Sequence, residues 1–259
     1  MARRWTAAAC LLCGSGARED GLCEGCFADL PRLPATRCPV CAAPGLGMDI
    51  CGRCLSSRPA YDHIVAILSY QHPVDLLIQG LKYRGQLACA RPLADCLAEA
   101  LEKEDYPDLV MPMPLSNERL SERGFNQALE IGRRLTTEFG IAIDATACQR
   151  VRHTASQTSL PWERRAANVR NAYICEREIR GKRIAVVDDV LTTGATLNEV
   201  ARTLKRQGAR EVVGWIASRT RRGVTGGREE ALGDAQGDVG DVVGGAATVG
   251  ISRRIAARV

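Results

Sequence analysis

Aromatic side chains are scarce here: Phe, Tyr and Trp make up 4% of the 259 residues, so any core must be filled by Leu, Val, Ile and Ala. No apolar run approaches the ~18 residues of a membrane-spanning helix. The opening Arg3-Arg4-Trp5, followed by Ala7 to Leu12, superficially resembles an export signal. Its apolar run is too short for one, and Cys10 and Cys13 belong to a longer pattern. A cytoplasmic location is expected. Strong charge is also lacking. The formal net charge is +5, but it counts every cysteine as neutral, and eight thiolates holding two zinc ions would bring the balance close to zero. That leaves a weak electrostatic case for nucleic acid. Histidine is rare, with 3 in the chain, and no residue stands out as a general base; His153 reads as a surface residue. The length accommodates one α/β domain and a small accessory domain.

Cysteine, by contrast, is abundant and patterned. Residues 1–57 hold the pairs Cys10/Cys13, Cys23/Cys26, Cys38/Cys41 and Cys51/Cys54, with nine residues between the first two pairs and again between the last two. This repeats one small unit. Gly or Pro beside a cysteine, as in Cys13-Gly14, Cys38-Pro39 and Cys51-Gly52, suits the tight turns that aim two sulfurs at one ion. Reducing cytosol disfavours disulfides, so zinc is expected, in two closed and therefore structural sites. The repeat favours sequential pairing, Cys10/Cys13/Cys23/Cys26 and Cys38/Cys41/Cys51/Cys54, and spacing alone leaves a cross-braced arrangement open. Some 57 loop-rich residues bury too little apolar surface to fold without metal. Cys89, Cys96, Cys148 and Cys175 show no metal spacing and read as small buried residues or inert thiols.

From Tyr61 strands alternate with helices. Strands are expected over 64–70, 108–113, 183–187 and 211–217. Helices are expected over 74–82, 87–101, 120–139 (closed by Gly140) and 197–207. This alternation implies a Rossmann-like, doubly wound parallel sheet. The domain plan is thus 1–57, a Cys-rich zinc module; 58–222, the α/β domain; and 223–259, a tail without aromatics that is expected to be disordered and outside the working fold.

The segment Ile184-Ala185-Val186-Val187-Asp188-Asp189-Val190-Leu191-Thr192-Thr193-Gly194-Ala195-Thr196 carries the most specific signal. A buried strand delivers two adjacent carboxylates to its carboxyl end, where ligands bind in open α/β sheets. The carboxylates can accept hydrogen bonds from a ribose diol. The small, hydroxyl-rich turn that follows opens a helix, and its backbone amides, hydroxyls and helix N-terminus form an anion site suited to a terminal phosphate.

This string resembles the fingerprint of type I phosphoribosyltransferases. The resemblance implies that Asp188 and Asp189 contact ribose hydroxyls, and that Thr192, Thr193, Gly194, Ala195 and Thr196 hold the 5′-phosphate of phosphoribosyl pyrophosphate. From the paired cysteines through Lys82-Tyr83-Arg84-Gly85, Pro112-Met113-Pro114, Arg123 to Gln127, Thr154-x-x-Gln157-x-x-Leu160, Arg165 and Asn168-Val169, residues 10 to about 221 resemble the ComF family of competence-associated phosphoribosyltransferase-like proteins. By that resemblance the turn at Pro112 faces pyrophosphate, and Arg119 and Arg123 neutralise the leaving group, with Lys82 and Arg84 as further candidates. The polar stretch 150–171 takes the place of a closing loop, with Arg150, Thr154 and Gln157 as ligand contacts.

Three functions compete. In the first, an enzyme transfers the phosphoribosyl group to an unidentified base or amine, a glycosyltransferase reaction, with magnesium held mainly by the substrate's own oxygens. In the second, a non-catalytic accessory of DNA uptake binds the sugar phosphate as a regulatory ligand; the resemblance implies a place beside a DNA-import helicase and single-stranded DNA. The third is a nucleic-acid-binding zinc module. Residues 1–57 hold six Lys/Arg and five Asp/Glu, and two zinc-thiolate sites make that region net negative, against the third reading. Metal removal is expected to unfold residues 1–57 and leave the phosphate loop able to bind ligand.

Overall fold

A computed structural model describes residues 9–45, 49–151 and 171–220. The expected tail (223–259), His153, Thr154 and Gln157 lie outside the described residues. Four parallel strands form the sheet in the order β1-β6-β5-β2: β1 (His63–Ser69), β6 (Glu211–Arg219), β5 (Arg183–Leu191) and β2 (Leu109–Pro112). The central pair β5 and β6 continues to Leu191 and Arg219, beyond the expected ends at 187 and 217, because the two strands stay paired there.

Successive side chains of a strand face opposite ways, and both faces of this sheet are covered. Ala185 and Val187 of β5, with Val213 and Trp215 of β6, pack against α3 (Val74–Tyr83), α4 (Ala90–Leu101) and α6 (Gln127–Phe139). Ile184 and Val186, with Val212 and Ile216, pack against α7 (Ala195–Arg206) and a two-stranded antiparallel hairpin of β3 (Cys148–Arg150) and β4 (Tyr173–Cys175). Strands buried on both sides require near-continuous apolar runs, which is why Ile184 to Val187 carries no polar residue.

The expected single helix over 120–139 is two. Residues Asn117–Arg123 form α5, which ends at Gly124 with φ +75°. A new helix, α6, starts when Asn126 caps it by accepting from the N–H groups of Ala128 and Leu129. The glycine provides a left-handed C-terminus and the asparagine a fresh N-cap, so the periodic apolar pattern runs across a real break. The expected helix over 87–101 likewise begins as a 3-10 turn, Leu87–Cys89, before α4.

The cysteine-rich segment lies along the sheet edge. Two short helices, α1 (Glu24–Ala28) and α2 (Gly52–Ser56), each begin just after a cysteine. Between the two cysteine groups, residues 31–33 run beside β1: Leu33 N–H donates to Ile67 O at 2.8 Å and Ser69 N–H to Pro31 O at 2.8 Å. This covers an otherwise open strand edge. It also sends the halves to opposite faces, with Leu22 and Leu30 joining the α3/α4 core and Cys38, Cys41 and Cys54 joining the α7 core. The Arg32–Glu99 ion pair, at 2.6 Å, ties the linker to α4.

Candidate functional site

Strand β5 ends in the acid pair. By the alternation that sends Val186 toward α7 and Val187 toward α3, Asp188 and Asp189 face opposite sides of the sheet. Contacts bear this out. Lys82, on the last turn of α3, reaches Asp189 Oδ2 at 2.6 Å, and the Asp189 side chain is only 3% exposed. Burial alone would lower the Lys82 pKa, but the charge and hydrogen bond of Asp189, with the field of Asp188, outweigh it and hold the ammonium above its usual range. The Asp188 carboxyl is driven the other way. Burial and the neighbouring Asp189 push its pKa well above the ordinary carboxylate value, against the opposing pull of Lys82. Its Oδ1 accepts from Asp189 N–H at 3.0 Å. An acid that resists ionising when alone gains most from hydrogen-bond donors placed against it.

On the other side of the sheet, buried Tyr173 of β4 lies in the combined field of Arg150, Asp188 and Arg119; burial pushes its phenol up to about 12. Arg150 stands opposite Tyr173 in the hairpin register. Three of the expected ligand residues, Arg119, Arg150 and Asp188, from segments far apart in sequence, therefore converge on Tyr173. Tyr173 was not anticipated: a lone tyrosine in a three-residue strand carries no local signal.

After Leu191 the chain turns into α7 through Thr192, Thr193 and Gly194. Gly194 is the N-cap at φ +78°, a conformation that disfavours any side chain. A Cβ there would also come within 3.4 Å of the Tyr61 hydroxyl. Thr193 Oγ1 accepts from Ala195 N–H at 3.2 Å, and the Thr193 carbonyl accepts from Arg53 Nη1 at 2.8 Å. Thr192 stays exposed, and Thr193, Ala195 and Thr196 are partly exposed. The turn thus opens outward at a helix N-terminus while being braced from behind, which is the arrangement an anion site requires.

The remaining expected residues fall into two groups. Pro112, paired with Val187, ends β2 beside the acid pair. Arg123, on α5, stacks over the ring of Tyr83 at 5.5 Å, which brings α5 against the Lys82-Tyr83 end of α3. Arg84 is exposed at the C-cap of α3 and is not drawn into this cluster. A cavity of about 670 Å³ opens between the α5–α6 junction and β3, lined by Pro114, Asn117, Phe125, Arg133, Gln149 and Arg150 among others. Neither acid nor any residue from Thr192 to Thr196 lines it; of the expected ligand residues that are described, Arg150 alone does.

The cysteines gather as two separate groups, Cys10/Cys13/Cys23/Cys26 and Cys38/Cys41/Cys51/Cys54, with all sulfurs of a group within 4.8 Å of one another. This is the sequential pairing. Cys13 and Cys23 sulfurs are 3.6 Å apart, as are those of Cys41 and Cys51. Thiolates ~2.3 Å from a tetrahedral ion stand about 3.8 Å apart, so both groups fit zinc with no open position for water. These are structural zinc sites.

Residues 6–55 match the double zinc ribbon domain family, and residues 127–222 match the phosphoribosyl transferase domain family. Competence protein F of Haemophilus influenzae is 32% identical over 214 residues, covering 78% of this chain and 91% of that protein. The chain belongs to the ComF family. Other ComF relatives include the DNA utilization protein YhgH of Salmonella typhimurium, 34% identical over 77% of this chain and 91% of that protein. Competence protein ComFC of Streptococcus pneumoniae is 26% identical, over 78% of this chain and 96% of that protein. Among solved structures, a purine phosphoribosyltransferase from Pyrococcus horikoshii aligns at 20% identity over 58% of this chain and 74% of that chain, with a TM-score of 0.30. Among the described residues no helix of this ComF chain is long and apolar enough to cross a membrane.

Proposed function

We propose that this ComF chain binds phosphoribosyl pyrophosphate at the carboxyl end of β5 and transfers its phosphoribosyl group to a base or amine. The observation that carries this reading is the placement of Asp188 and Asp189 at the strand end, directly before a hydroxyl-rich turn that is braced from behind and opens α7. Thr192 to Thr196 hold the 5′-phosphate with backbone amides and hydroxyls. Asp188 accepts from a ribose hydroxyl, and Arg119, Arg123 and Arg150 supply positive charge on the side where pyrophosphate departs. A nitrogen lone pair attacks C1 of the ribose, the bond from C1 to the pyrophosphate oxygen breaks, and the electrons leave with pyrophosphate. Magnesium bound with the substrate would supply further charge neutralisation for that departure. The protein's part is positioning and stabilising the leaving charge.

The names of the relatives, competence protein and DNA utilization protein, favour a second reading. There the sugar phosphate is a regulatory ligand of a DNA-uptake accessory working in the cytoplasm beside a helicase and single-stranded DNA. One pair of measurements separates them. Titration calorimetry with phosphoribosyl pyrophosphate and magnesium should show binding that Asp188→Asn with Asp189→Asn removes while circular dichroism stays unchanged. A pyrophosphate-release screen across bases and amines then decides: turnover with one acceptor supports the transferase, and tight binding without turnover supports the accessory. Wild-type affinity in the double variant would sink the ribose-binding assignment.

A further inference from the structure

The second zinc knuckle and the phosphate turn touch, although 140 residues separate the contacting groups. Arg53 lies on α2 between two metal ligands, Cys51 and Cys54, and its Nη1 donates to the Thr193 carbonyl at 2.8 Å. Thr193 O and Gly194 N–H belong to one planar trans peptide. A donor that holds the oxygen on one side therefore aims the N–H to the other, away from the ribbon and toward the open face of the turn. Tyr61, 3% exposed and packed with Cys41 and Cys54 in the same core, sets its hydroxyl against Gly194. Asn198, on the first turn of α7, is held in turn by Ala60, whose N–H donates to Asn198 Oδ1 at 2.7 Å.

We infer that the second zinc knuckle is a positioning element of the sugar-phosphate site, with Arg53 orienting the Thr193–Gly194 peptide so that the Gly194 N–H meets the phosphate. The assignment of that phosphate rests on the proposed function; the coupling between knuckle and turn does not. On this inference the turn depends on the second metal site, whereas the sequence reading expects the phosphate loop to stay able to bind ligand after metal removal. Cys51 and Cys54 set the path of α2, so loss of zinc from this site frees Arg53 and with it the peptide plane. The first zinc site, packed on the α3/α4 face, has no such contact among the described residues.

Hydrogen exchange tests the coupling without any ligand, on the full zinc-loaded chain. Arg53→Met keeps the apolar stem and removes the donors. Exchange across 190–197 should rise several-fold while zinc content stays at the wild-type value. Arg53→Lys, which can still donate once, should restore part of the protection, and Cys13→Ser should loosen residues 9–30 and leave 190–197 as in the wild type. Affinity for phosphoribosyl pyrophosphate should fall roughly 10-fold in Arg53→Met, as expected for a charged hydrogen bond. Unchanged exchange at 190–197 in Arg53→Met overturns the inference. Raised exchange in a protein whose wild type binds no phosphoribosyl pyrophosphate leaves the coupling standing and removes the proposed ligand instead.

Discussion

Replacing Lys82 by Met isolates the central electrostatic feature of the site. The ammonium lies 2.6 Å from Asp189 Oδ2, the carboxylate side chain is 3% exposed and that of Lys82 20%. Opposite charges ~4 Å apart at an effective dielectric of ~20 attract by about 4 kcal/mol, and removing one member of a buried pair typically costs ~3–5 kcal/mol because the other charge is stranded. The partial exposure of Lys82 moves the expectation to the low end, about 3 kcal/mol. Removing both charges should be far milder: Lys82→Met with Asp189→Leu keeps the number and branching of the Asp189 heavy atoms, strands nothing, and should lie within about 1 kcal/mol of the wild type. Urea unfolding at pH 7, with equal slopes for all four proteins, gives the double-mutant cycle. The pH sign follows from the raised Lys82 pKa: the pair's contribution is complete below the ordinary lysine value of 10.5 and disappears only as pH rises through the raised one. At neutral pH the whole effect should therefore be visible. A loss below about 1 kcal/mol in Lys82→Met alone, or a double variant as unstable as the single, would show that the pair is not coupled as its geometry indicates.

Two more outcomes follow from the same strand and turn. Because the folded state raises the Asp188 pKa above 3.8, stability contributed by its protonated form is complete below that value and drains away as pH rises through the raised one. Asp188→Asn should therefore melt higher than the ligand-free wild type at pH 7 by calorimetry, with the gap closing near pH 4, and a lower melting temperature at pH 7 would contradict the assignment. Gly194→Ala forces a side chain into the left-handed region, at a cost of ~1–2 kcal/mol, and its Cβ would meet the Tyr61 hydroxyl at 3.4 Å. Urea unfolding should register that loss, and sugar-phosphate affinity should fall with it; equal stability to the wild type would mean the turn tolerates another conformation.

The features legible from sequence share one property: their causes are local. The string from Ile184 to Thr196 contains its own strand, acids, turn and helix start, so reading it needed no partner segment, and the cysteine repeat carries its own spacing. The break between α5 and α6 was also local. Gly124 followed two residues later by Asn126 is a stop and a cap in succession, but the unbroken apolar periodicity from Leu120 outweighed it. What could not be read is what the sheet brings together. The pleat places Asp188 and Asp189 on opposite faces of the sheet, and which groups each meets there depends on how the helices and the hairpin pack. Lys82 entered as a ligand candidate, yet its position as the partner of Asp189 depends on how α3 packs across β5, which no spacing encodes. Arg53 is the extreme case. In sequence it is an ordinary basic residue between two metal ligands, and only the path of residues 31–33 along β1, which sends the second zinc site to the α7 face, carries its guanidinium to the Thr193 carbonyl. A structural metal site and a ligand turn that read as separate modules are thereby joined through a single peptide plane.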